Sequence, residues 1–356
     1  MRIVQVGAYP PPYGGVTVHL MRLHDHLRKA GLDDTILDLS LIPKSVPGVV
    51  GVSWADAPAY LEGLPRSIVH FHNFAPGYAA VYARLARRHL AVLSLHNERF
   101  ADELNELDPL RRTLATRRLR RIREIVVDNE RCRGLAAGIW GRGSEIHVIP
   151  EFIPPVSVPP LTHPAALELR ARCRYLLASN AWQLATHRGE DMYGVDLMIE
   201  LMRGLVHERG VDAGLVLLLP GSGGAEELQP LHDRIAAADL GSRVVLITEP
   251  LEESSSLWRE AAVVIRATNT DGSSLSVLEA LAVGTPVVAS DCVERPAGTV
   301  LFRNRSQDDL TDRVAGVLSD LASHRERVRK VAVTDNAAAF VALYTRLSEE
   351  SERVDA

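Results

Sequence analysis

The feature that most constrains the fold of this chain is an alternation between short apolar segments and longer amphipathic ones. In the first half of the sequence, strand-like segments occur at residues 3–6, 68–71, 91–95, 125–127 and 146–149. Helical patterns lie between them, most clearly at residues 18–29 and 78–88. Strands that alternate with helices in this way form a parallel sheet covered by helices on both faces.

A proline-rich segment interrupts the alternation. Residues 150–164 contain six prolines in fifteen positions, so they can form neither a helix nor a central strand and make a stiff connector. The alternation then resumes, with strand-like segments at residues 175–178, 214–219, 244–247, 263–266 and 286–289. We therefore predict an α/β chain with two doubly wound, Rossmann-like domains, at residues 1–152 and 166–334. A linker at residues 153–165 would join them, and a helical tail would follow at residues 335–356.

Composition and charge exclude several classes of protein. The chain has 356 residues, of which 46% are hydrophobic and 24% charged, as in a globular protein. A formal net charge of −5 argues against a general nucleic-acid binder. Cys132, Cys173 and Cys292 are not spaced as the ligands of a zinc site are. No apolar run is long enough to cross a bilayer. The first predicted strand begins too early in the chain to leave room for a signal peptide. We expect a cytoplasmic protein without a nucleic-acid partner.

The most informative segment is residues 270–290. Asp271 begins a predicted loop that also contains a glycine, Ser273 and Ser274. A helical run follows and places Glu279 eight positions after Asp271. A glycine and a proline then end the helix before a buried strand.

This pattern predicts a site for a phosphorylated ligand. The backbone N–H groups at a helix start have no intrahelical partner, and they bind anions. Because helical side chains lean towards the N-terminus, the Glu279 carboxylate can reach a hydroxyl group attached to that anion. Carboxylates on both sides of an anion site suit a nucleotide sugar. The alternative is a pair of solvated acids, which is disfavoured because ligands bind at the carboxyl ends of strands in doubly wound domains.

The first domain offers weaker candidates. Gly14 and Gly15 follow the first strand and would let a ligand approach the backbone, but a proline-rich surface turn explains them equally well, and their spacing is not that of a dinucleotide site. His96 ends a predicted strand, where it can donate to a sugar or simply cap the loop. His70 and His72 form a His-x-His pair without a nearby acid or cysteine to support a metal site.

A basic patch lies at residues 111–123. It contains seven arginines: Arg111, Arg112, Arg117, Arg118, Arg120, Arg121 and Arg123. Each basic residue near an anionic membrane contributes about 1 kcal/mol of attraction. Several of these arginines interrupt the apolar face of the predicted helix. The pattern therefore favours a solvated, ion-paired helix, with peripheral contact at the inner face of a membrane as the alternative.

Taken in order, these segments resemble the retaining glycosyltransferases of family 4, which have the GT-B fold. The resemblance rests on Pro-Pro-Tyr-Gly-Gly at 11–15, Ser-Leu-His-Asn at 94–97, Val-Ile-Pro-Glu-Phe-Ile at 148–153, the spaced acids Asp271 and Glu279, and Gly-Thr-Pro-Val-Val-Ala-Ser at 284–290. The family has Glu at the first acid, where this chain has Asp. The resemblance implies two domains that face each other across a cleft, with the helical tail crossing back to the first domain.

The resemblance also assigns roles to these residues. It implies that Glu279 holds the nucleotide ribose, that Asp271 binds hydroxyl groups of the donor sugar and that His96 contacts this sugar from the first domain. Backbone amides at the start of the predicted helix would hold the diphosphate, and the first-domain glycines would lie near the reacting bond. The implied donor-binding residues are Gly14, Gly15, Asn180, Ser273, Ser274, Leu275 and Glu279.

The chain departs from the family at the cations that neutralise the leaving diphosphate. The family usually has an arginine and a lysine, whereas Asn180 and Tyr193 occupy the matching positions here. The leaving group gains negative charge in the transition state, so some cation is needed. We predict that Arg266 and Arg295 supply it, with Arg188 as a third candidate.

These observations predict a metal-independent glycosyltransferase with His96, Asp271, Arg266 and Arg295 as its catalytic residues. It would move a sugar from a nucleotide-diphosphate donor, expected to be UDP-linked, to a hydroxyl group of a saccharide or lipid-linked saccharide, in polysaccharide or glycolipid synthesis. No cofactor beyond this co-substrate is expected. The alternatives are a GT-B nucleotide-sugar epimerase, which would need an acid/base pair beside the sugar, and a non-catalytic nucleotide-sugar-binding scaffold.

Overall fold

The computed structural model describes residues 1–11, 13–96, 99–141, 143–222, 224–251, 253–271, 274–331 and 333–355. The chain divides into two compact units. The first unit contains Met1–Val156 and Thr334–Ala356, and the second contains Ser157–Val333. The division between them falls within the proline-rich segment.

The first unit is built on a parallel sheet. Its strands are β1 (Ile3–Gly7), β2 (Asp34–Asp38), β3 (Val49–Gly51), β4 (Ile68–Phe71), β5 (Leu90–Leu95), β6 (Glu124–Val127) and β7 (Glu145–Val148). They lie in the order β3-β2-β1-β4-β5-β6-β7, and every pair is parallel. The strand order reverses between β1 and β4, and the carboxyl ends of strands at such a reversal are where doubly wound sheets bind ligands.

Helices cover this sheet. They are α1 (Gly15–Lys29), α2 (Ala57–Gly63), α3 (Ala79–Leu85), α4 (Arg99–Asn105), α5 (Pro109–Leu119), α6 (Glu130–Trp140) and, from the end of the chain, α14 (Ala337–Asp355), with a short 3₁₀ turn at Pro76–Tyr78. α1 is amphipathic and buries Leu20, Leu23 and Leu27 at helical spacing. α14 buries Phe340 and Tyr344 in the cluster that contains Leu23 and Leu27.

The second unit repeats the design. Its parallel strands are β8 (Tyr175–Asn180), β11 (Ala213–Leu218), β12 (Val244–Ile247), β13 (Val263–Arg266), β14 (Val287–Ser290) and β15 (Val300–Phe302), in the order β12-β11-β8-β13-β14-β15. A small antiparallel hairpin joins β9 (Thr186–His187) to β10 (Glu190–Asp191). The helices are α7 (Pro164–Arg172), α8 (Val195–Arg203), α9 (Ala225–Ala237), α10 (Ser255–Glu260), α11 (Leu275–Ala282), α12 (Gln307–Ser319) and α13 (Leu321–Arg329).

The predicted α/β fold of two doubly wound domains is confirmed. β4, β12 and β13 have the predicted bounds, because each is a short apolar run. β4 and β13 lie inside their sheets, and β12 is an edge strand of the second sheet. Helix α8 ends at Arg203, and a π-helical turn follows at Gly204–Glu208. Among the described residues, no helix is both long and apolar enough to span a bilayer.

Candidate active site

The carboxylate of Asp271 lies between two arginines of the second unit. Arg266, the last residue of β13, donates from Nε and Nη2 to the two carboxylate oxygens, each at 2.9 Å. Arg295 donates from Nη1 to Oδ2 at 2.7 Å. The side chains of Asp271 and Arg295 are only 8% and 1% exposed. These contacts are therefore buried ion pairs, which are short and directional.

The arginines keep this carboxylate ionised. Burial acts to raise the pKa of Asp271, but the hydrogen bonds and positive charges of Arg266 and then Arg295 outweigh it and hold the pKa below its ordinary value. Thr268 Oγ1 also donates to Oδ2, at 3.1 Å. Asp271 is thus a fixed acceptor that can bind hydroxyl groups.

Arg295 is itself held by the end of β14. Its Nε donates to the backbone oxygen of Ser290 at 3.0 Å. Its Nη2 lies 3.1 Å from Thr268 Oγ1 and 3.2 Å from Ser290 Oγ. Every nitrogen of this guanidinium has a partner within the protein, so in this conformation Arg295 supports Asp271.

Arg266 lies at the carboxyl edge of the sheet, where the end of β8 adjoins it. Its Nη1 lies 3.3 Å from the backbone oxygen of Asn180 and 3.4 Å from Asn180 Oδ1. Its Cζ lies 5.6 Å from the centroid of the Tyr193 ring, a cation–π distance. The structure therefore brings Asn180, Arg266, Asp271 and Arg295 together. The sequence placed each of them near a ligand but did not indicate that the arginines bind the aspartate.

Helix α11 follows this cluster. Ser274 is its N-cap residue, but the Ser274 hydroxyl makes no capping hydrogen bond. It lies instead 3.3 Å from Ser276 Oγ. The helix begins at Leu275, and the amides of its first turn have no partners within the helix. Ser273, which we predicted to bind the donor, lies outside the described residues.

Glu279 is anchored from a neighbouring helix. Its Oε2 accepts a hydrogen bond from Trp258 Nε1 at 2.8 Å and another from Ser254 Oγ at 3.0 Å. Glu279 is 5% exposed, and these two donors fix the direction of its carboxylate. Sequence reasoning missed both partners, because a tryptophan and a serine near a helix start give no sign of what they contact across the fold.

The segment around Arg188 is the β9–β10 hairpin. Arg188 lies in its turn with a φ of 54°, next to a glycine that also has positive φ, as a two-residue hairpin turn of type I′ requires. Asp191 Oδ1 accepts from the backbone N–H groups of Tyr193 and Gly194, both at 3.0 Å, which ties the hairpin to the start of α8. Arg188 is exposed, and in the described part of the chain it has no hydrogen bond or ion pair with the Asp271 cluster.

In the first unit, α1 begins at Gly15 with Gly14 as its N-cap residue. The φ of Gly14 is −160°, an extended value that any residue adopts. A Cβ atom at Gly14 would meet no described atom within 4 Å. Neither backbone strain nor internal packing therefore requires glycine at position 14, and the space beside it is open.

His96 follows β5 and pairs with an acid that sequence reasoning did not single out. Its Nδ1 lies 2.5 Å from Glu151 Oε1. Asp128, directly after β6, accepts the backbone N–H of Glu151 at 2.8 Å and fixes the segment. The two atoms are at ion-pair distance but do not have hydrogen-bond geometry, since Glu151 Oε1 is buried with no hydrogen-bond partner among the described residues. A carboxylate at this position favours the tautomer with its proton on Nδ1, in which Nε2 is the acceptor nitrogen. That Nε2 is buried and has no hydrogen-bond partner among the described residues.

Three further histidines pack beside this pair and are uncharged. Burial, helped by the neighbouring histidines, lowers the pKa of His19 to about 4 and the pKa values of His70 and His72 well below their ordinary range. His70 lies 2.5 Å from the Tyr344 hydroxyl and 2.8 Å from Ser94 Oγ. The His-x-His pair is therefore built into the core by hydrogen bonds.

One group of possible metal ligands occurs elsewhere on the first unit, in the described part of the chain: Glu124, Glu145 and His147. Arg346 from α14 lies 2.8 Å from Glu124 and 3.3 Å from Glu145. The Arg346 guanidinium thus occupies the position that a metal cation would take, and these residues form an ion-pair network.

Comparisons with known proteins agree with the fold. Residues 185–320 match the family model described as glycosyl transferases group 1. No curated protein matches. Sucrose-phosphate synthase from Thermosynechococcus elongatus is similar in structure with a TM-score of 0.65 and 16% identity, over 98% of this chain and 100% of that one.

Two other solved structures are similar. The Anabaena protein HepE, in complex with UDP-glucose, has a TM-score of 0.65 and 13% identity, with 99% of this chain and 100% of that one covered. The pneumococcal O-GlcNAc transferase GtfA, in complex with UDP and GlcNAc, has a TM-score of 0.67 and 11% identity, with 97% and 99% covered. The family match and the shared fold support a glycosyltransferase of the GT-B type.

Proposed function

We propose that this protein is a retaining, family 4 glycosyltransferase that moves a sugar from a UDP-linked donor to a hydroxyl group of a saccharide or lipid-linked saccharide. The observation that carries the proposal is the ionised Asp271 carboxylate, which Arg266 and Arg295 hold at the carboxyl edge of a doubly wound sheet. Helix α11 begins just beyond it. HepE with UDP-glucose and GtfA with UDP and GlcNAc give further support, because they share this fold.

The donor would lie along the start of α11. Amides near Ser273, Ser274 and Leu275 would bind the diphosphate, since a helix N-terminus favours anions. Glu279, fixed by Trp258, would accept hydrogen bonds from the ribose hydroxyl groups, in addition to the bonds that already hold it.

The sugar would lie against Asp271. Its hydroxyl groups would donate to this carboxylate, which both arginines keep charged. Of the two cations, Arg266 is the better partner for the diphosphate, because its side chain is 11% exposed and that of Arg295 is 1% exposed. Arg295 would act mainly through Asp271. The arginines thus supply positive charge where the leaving group develops negative charge.

His96 would bind the donor sugar through Nε2, with Glu151 fixing the tautomer. The reaction needs no nucleophilic carboxylate if the leaving phosphate oxygen takes the proton of the acceptor hydroxyl on the same face of the sugar. The transition state would resemble an oxocarbenium ion. Catalysis would then come from positioning and electrostatics, with Gly14 and Gly15 leaving room beside the reacting bond.

The basic patch supports a lipid-linked acceptor. All seven of its arginines are exposed. Arg111 lies 3.2 Å from Asp108, and Arg120 donates to the backbone oxygen of Ile139 at 2.8 Å. Most of the patch is therefore available to an anionic surface, and we include peripheral membrane contact in the proposal.

The proposal is tested by product formation. Purified protein is incubated with UDP-sugars and GDP-sugars, each with a panel of saccharide acceptors, and released nucleoside diphosphate is measured together with the anomeric configuration of the product by NMR. We expect release of UDP that requires an acceptor, and an α-linked product from an α-linked donor. A donor sugar that changes without an acceptor would indicate an epimerase, and nucleotide binding without release would indicate a scaffold; either result contradicts the proposal.

A further inference from the structure

A second polar cavity lies in the second unit, at the edge of the sheet opposite the Asp271 cluster. It has a volume of about 620 Å³ and is lined at the starts of β8 and β13, where Tyr175 and Ala262 lie, and along α13. β8 has 6 residues, so a rise of about 3.3 Å per residue separates its two ends by about 16 Å. The cavity is therefore distinct from the proposed donor site.

Positive charge dominates its lining. Of the described residues that line the cavity, four are arginines and one, Glu260, is acidic. The arginines are Arg170, Arg174, Arg325 and Arg329. In the described part of the chain, no ion pair joins any of these four to a carboxylate, unlike the arginines of the Asp271 cluster. Such a concentration of unpaired cations is costly unless water or an anion neutralises it.

The arginines lie close enough to influence one another. Burial first, and the charges of Arg329 and Arg170 next, lower the pKa of Arg325. Arg325 Nη2 donates to the backbone oxygen of Ala261 at 3.1 Å, and its Nε is buried with no hydrogen-bond partner among the described residues. Arg325 is therefore held in place with one donor unused.

The remaining walls suit a small organic body. Tyr175, stacked under Arg174 at 5.0 Å from Cζ to the ring centroid, gives an aromatic surface. Leu176, Leu318 and Leu321 add apolar area. A volume of this size is within the usual range of sites for small molecules, and planar guanidinium groups match the geometry of phosphate oxygens.

We propose that this arginine cavity binds a small phosphorylated metabolite with at least two negative charges, at a site separate from the proposed donor site. The phosphate groups would lie among Arg170, Arg325 and Arg329, and the organic part against Tyr175 and the leucines.

The test is a calorimetric titration with inorganic pyrophosphate at low ionic strength, in the presence of excess UDP. The test variant is Arg170→Gln with Arg329→Gln; both residues are exposed, and neither makes a side-chain hydrogen bond among the described residues, so folding should be preserved. The matched control is Arg172→Gln with Arg327→Gln. These residues lie on the same helices, α7 and α13, and give the same change of charge, but they do not line the cavity.

We expect wild type and control to bind pyrophosphate and the test variant to bind roughly tenfold more weakly or worse, since two charge-assisted contacts are lost. A test variant carrying Lys at both positions should regain part of the affinity. Equal binding by the test and control variants, or no binding by wild type, would overturn the proposal. The proposal would also be overturned if these arginines bound the protein to phosphatidylserine vesicles but the protein did not bind pyrophosphate. The comparison is independent of the donor site, which all these variants leave intact.

Discussion

His19 in the first unit and Asp271 in the second are both buried beside the carboxyl ends of parallel strands, yet burial has opposite outcomes for them. Burial, and next the neighbouring His96, lowers the pKa of His19 to about 4, so it is neutral. Asp271 is bound by Arg266 and Arg295, and its pKa falls below the ordinary value, so it is charged. Each group takes the state that its neighbours can stabilise.

The difference suits different tasks. A neutral imidazole cluster can hold a hydrogen-bond acceptor such as His96 Nε2 without repelling a ligand. A carboxylate held by two cations can bind sugar hydroxyl groups while the more exposed cation, Arg266, faces a phosphate. The first arrangement depends on histidines that stay unprotonated, and the second depends on intact ion pairs. Acid and mutation should therefore affect the stability of the two units differently.

The largest effect should follow the change Asp271→Asn. It leaves two buried guanidinium groups without their counter-charge, which costs roughly 3–5 kcal/mol. The loss should appear as faster hydrogen exchange in β13 and β14, with the strands of the first unit unchanged. Asp312→Asn is the control, because its 2.5 Å pair with Arg209 is exposed and contributes about 1 kcal/mol or less. Equal losses in both variants would show that Asp271 is not a buried ionic anchor.

The change Glu151→Gln should reduce turnover next most. It removes the charge that fixes the His96 tautomer, and a general acid–base or hydrogen-bonding histidine typically contributes at least about 100-fold. We expect a fall of about this size in kcat, a change in the pH profile and little change in donor KM. Glu145→Gln is a matched control on the same unit, at an exposed position. Unchanged turnover and an unchanged pH profile would remove Glu151 from the mechanism.

Acid should destabilise the first unit. The folded state of His19 binds its proton only near pH 4, whereas the unfolded chain binds it near pH 6.5. The unfolded state therefore holds more protons in this window, and stability falls as the pH falls from about 6.5 towards 4. Between about pH 7 and pH 5 the loss from His19 is about 2 kcal/mol, and His70 and His72 act in the same direction.

The variant His19→Gln isolates the contribution of His19 to the loss of stability in acid. Its stability loss over the same pH interval, from urea unfolding, should be about 2 kcal/mol smaller than that of wild type. The Asp271 ion pairs act in the same direction but in a lower pH window: their contribution is complete above the ordinary aspartate pKa of 3.8 and is lost only as the pH falls below it. An identical pH dependence in His19→Gln and wild type would mean that His19 is not kept neutral by the fold.

The smallest effect should come from Trp258→Phe. This change keeps most of the buried ring but removes the N–H donor to Glu279 Oε2, a hydrogen bond to a charged group that contributes about 1.5 kcal/mol. We expect UDP to bind several-fold more weakly, by calorimetry. Trp182→Phe is the control, because Trp182 is exposed and makes no side-chain hydrogen bond among the described residues. If both variants bound UDP as wild type does, the Trp258 contact would have no part in holding Glu279.

Local sequence patterns predicted the sheets well and the contacts poorly. β13 could be predicted because a short apolar run before a loop in an α/β chain is typical of a buried strand. β2 was missed because its polar ends, Asp34 and Asp38, conceal a buried strand. Asp34 is buried by its contact with His24 at 2.6 Å, a partner ten residues away that no strand pattern indicates.

The site shows the same limit. Arg266 could be selected because it ends a predicted strand, and Asp271 and Glu279 because they lie on either side of a predicted helix start. The pairing of Arg295 with Asp271, of Trp258 with Glu279 and of Glu151 with His96 depends on side chains brought together across the sheet and its helices. Such long-range partners leave no periodic signal in the sequence.

The central claim is that Glu279 and the start of α11 bind the nucleotide of a sugar donor. Its most direct test is a calorimetric titration of UDP into wild type, Glu279→Gln and the control Glu208→Gln, whose carboxylate is exposed and paired with Arg203. We predict that wild type and Glu208→Gln bind UDP alike and that Glu279→Gln binds at least about tenfold more weakly, a loss of about 1.4 kcal/mol. Equal affinities in all three proteins, or no binding of UDP by any, would contradict the claim.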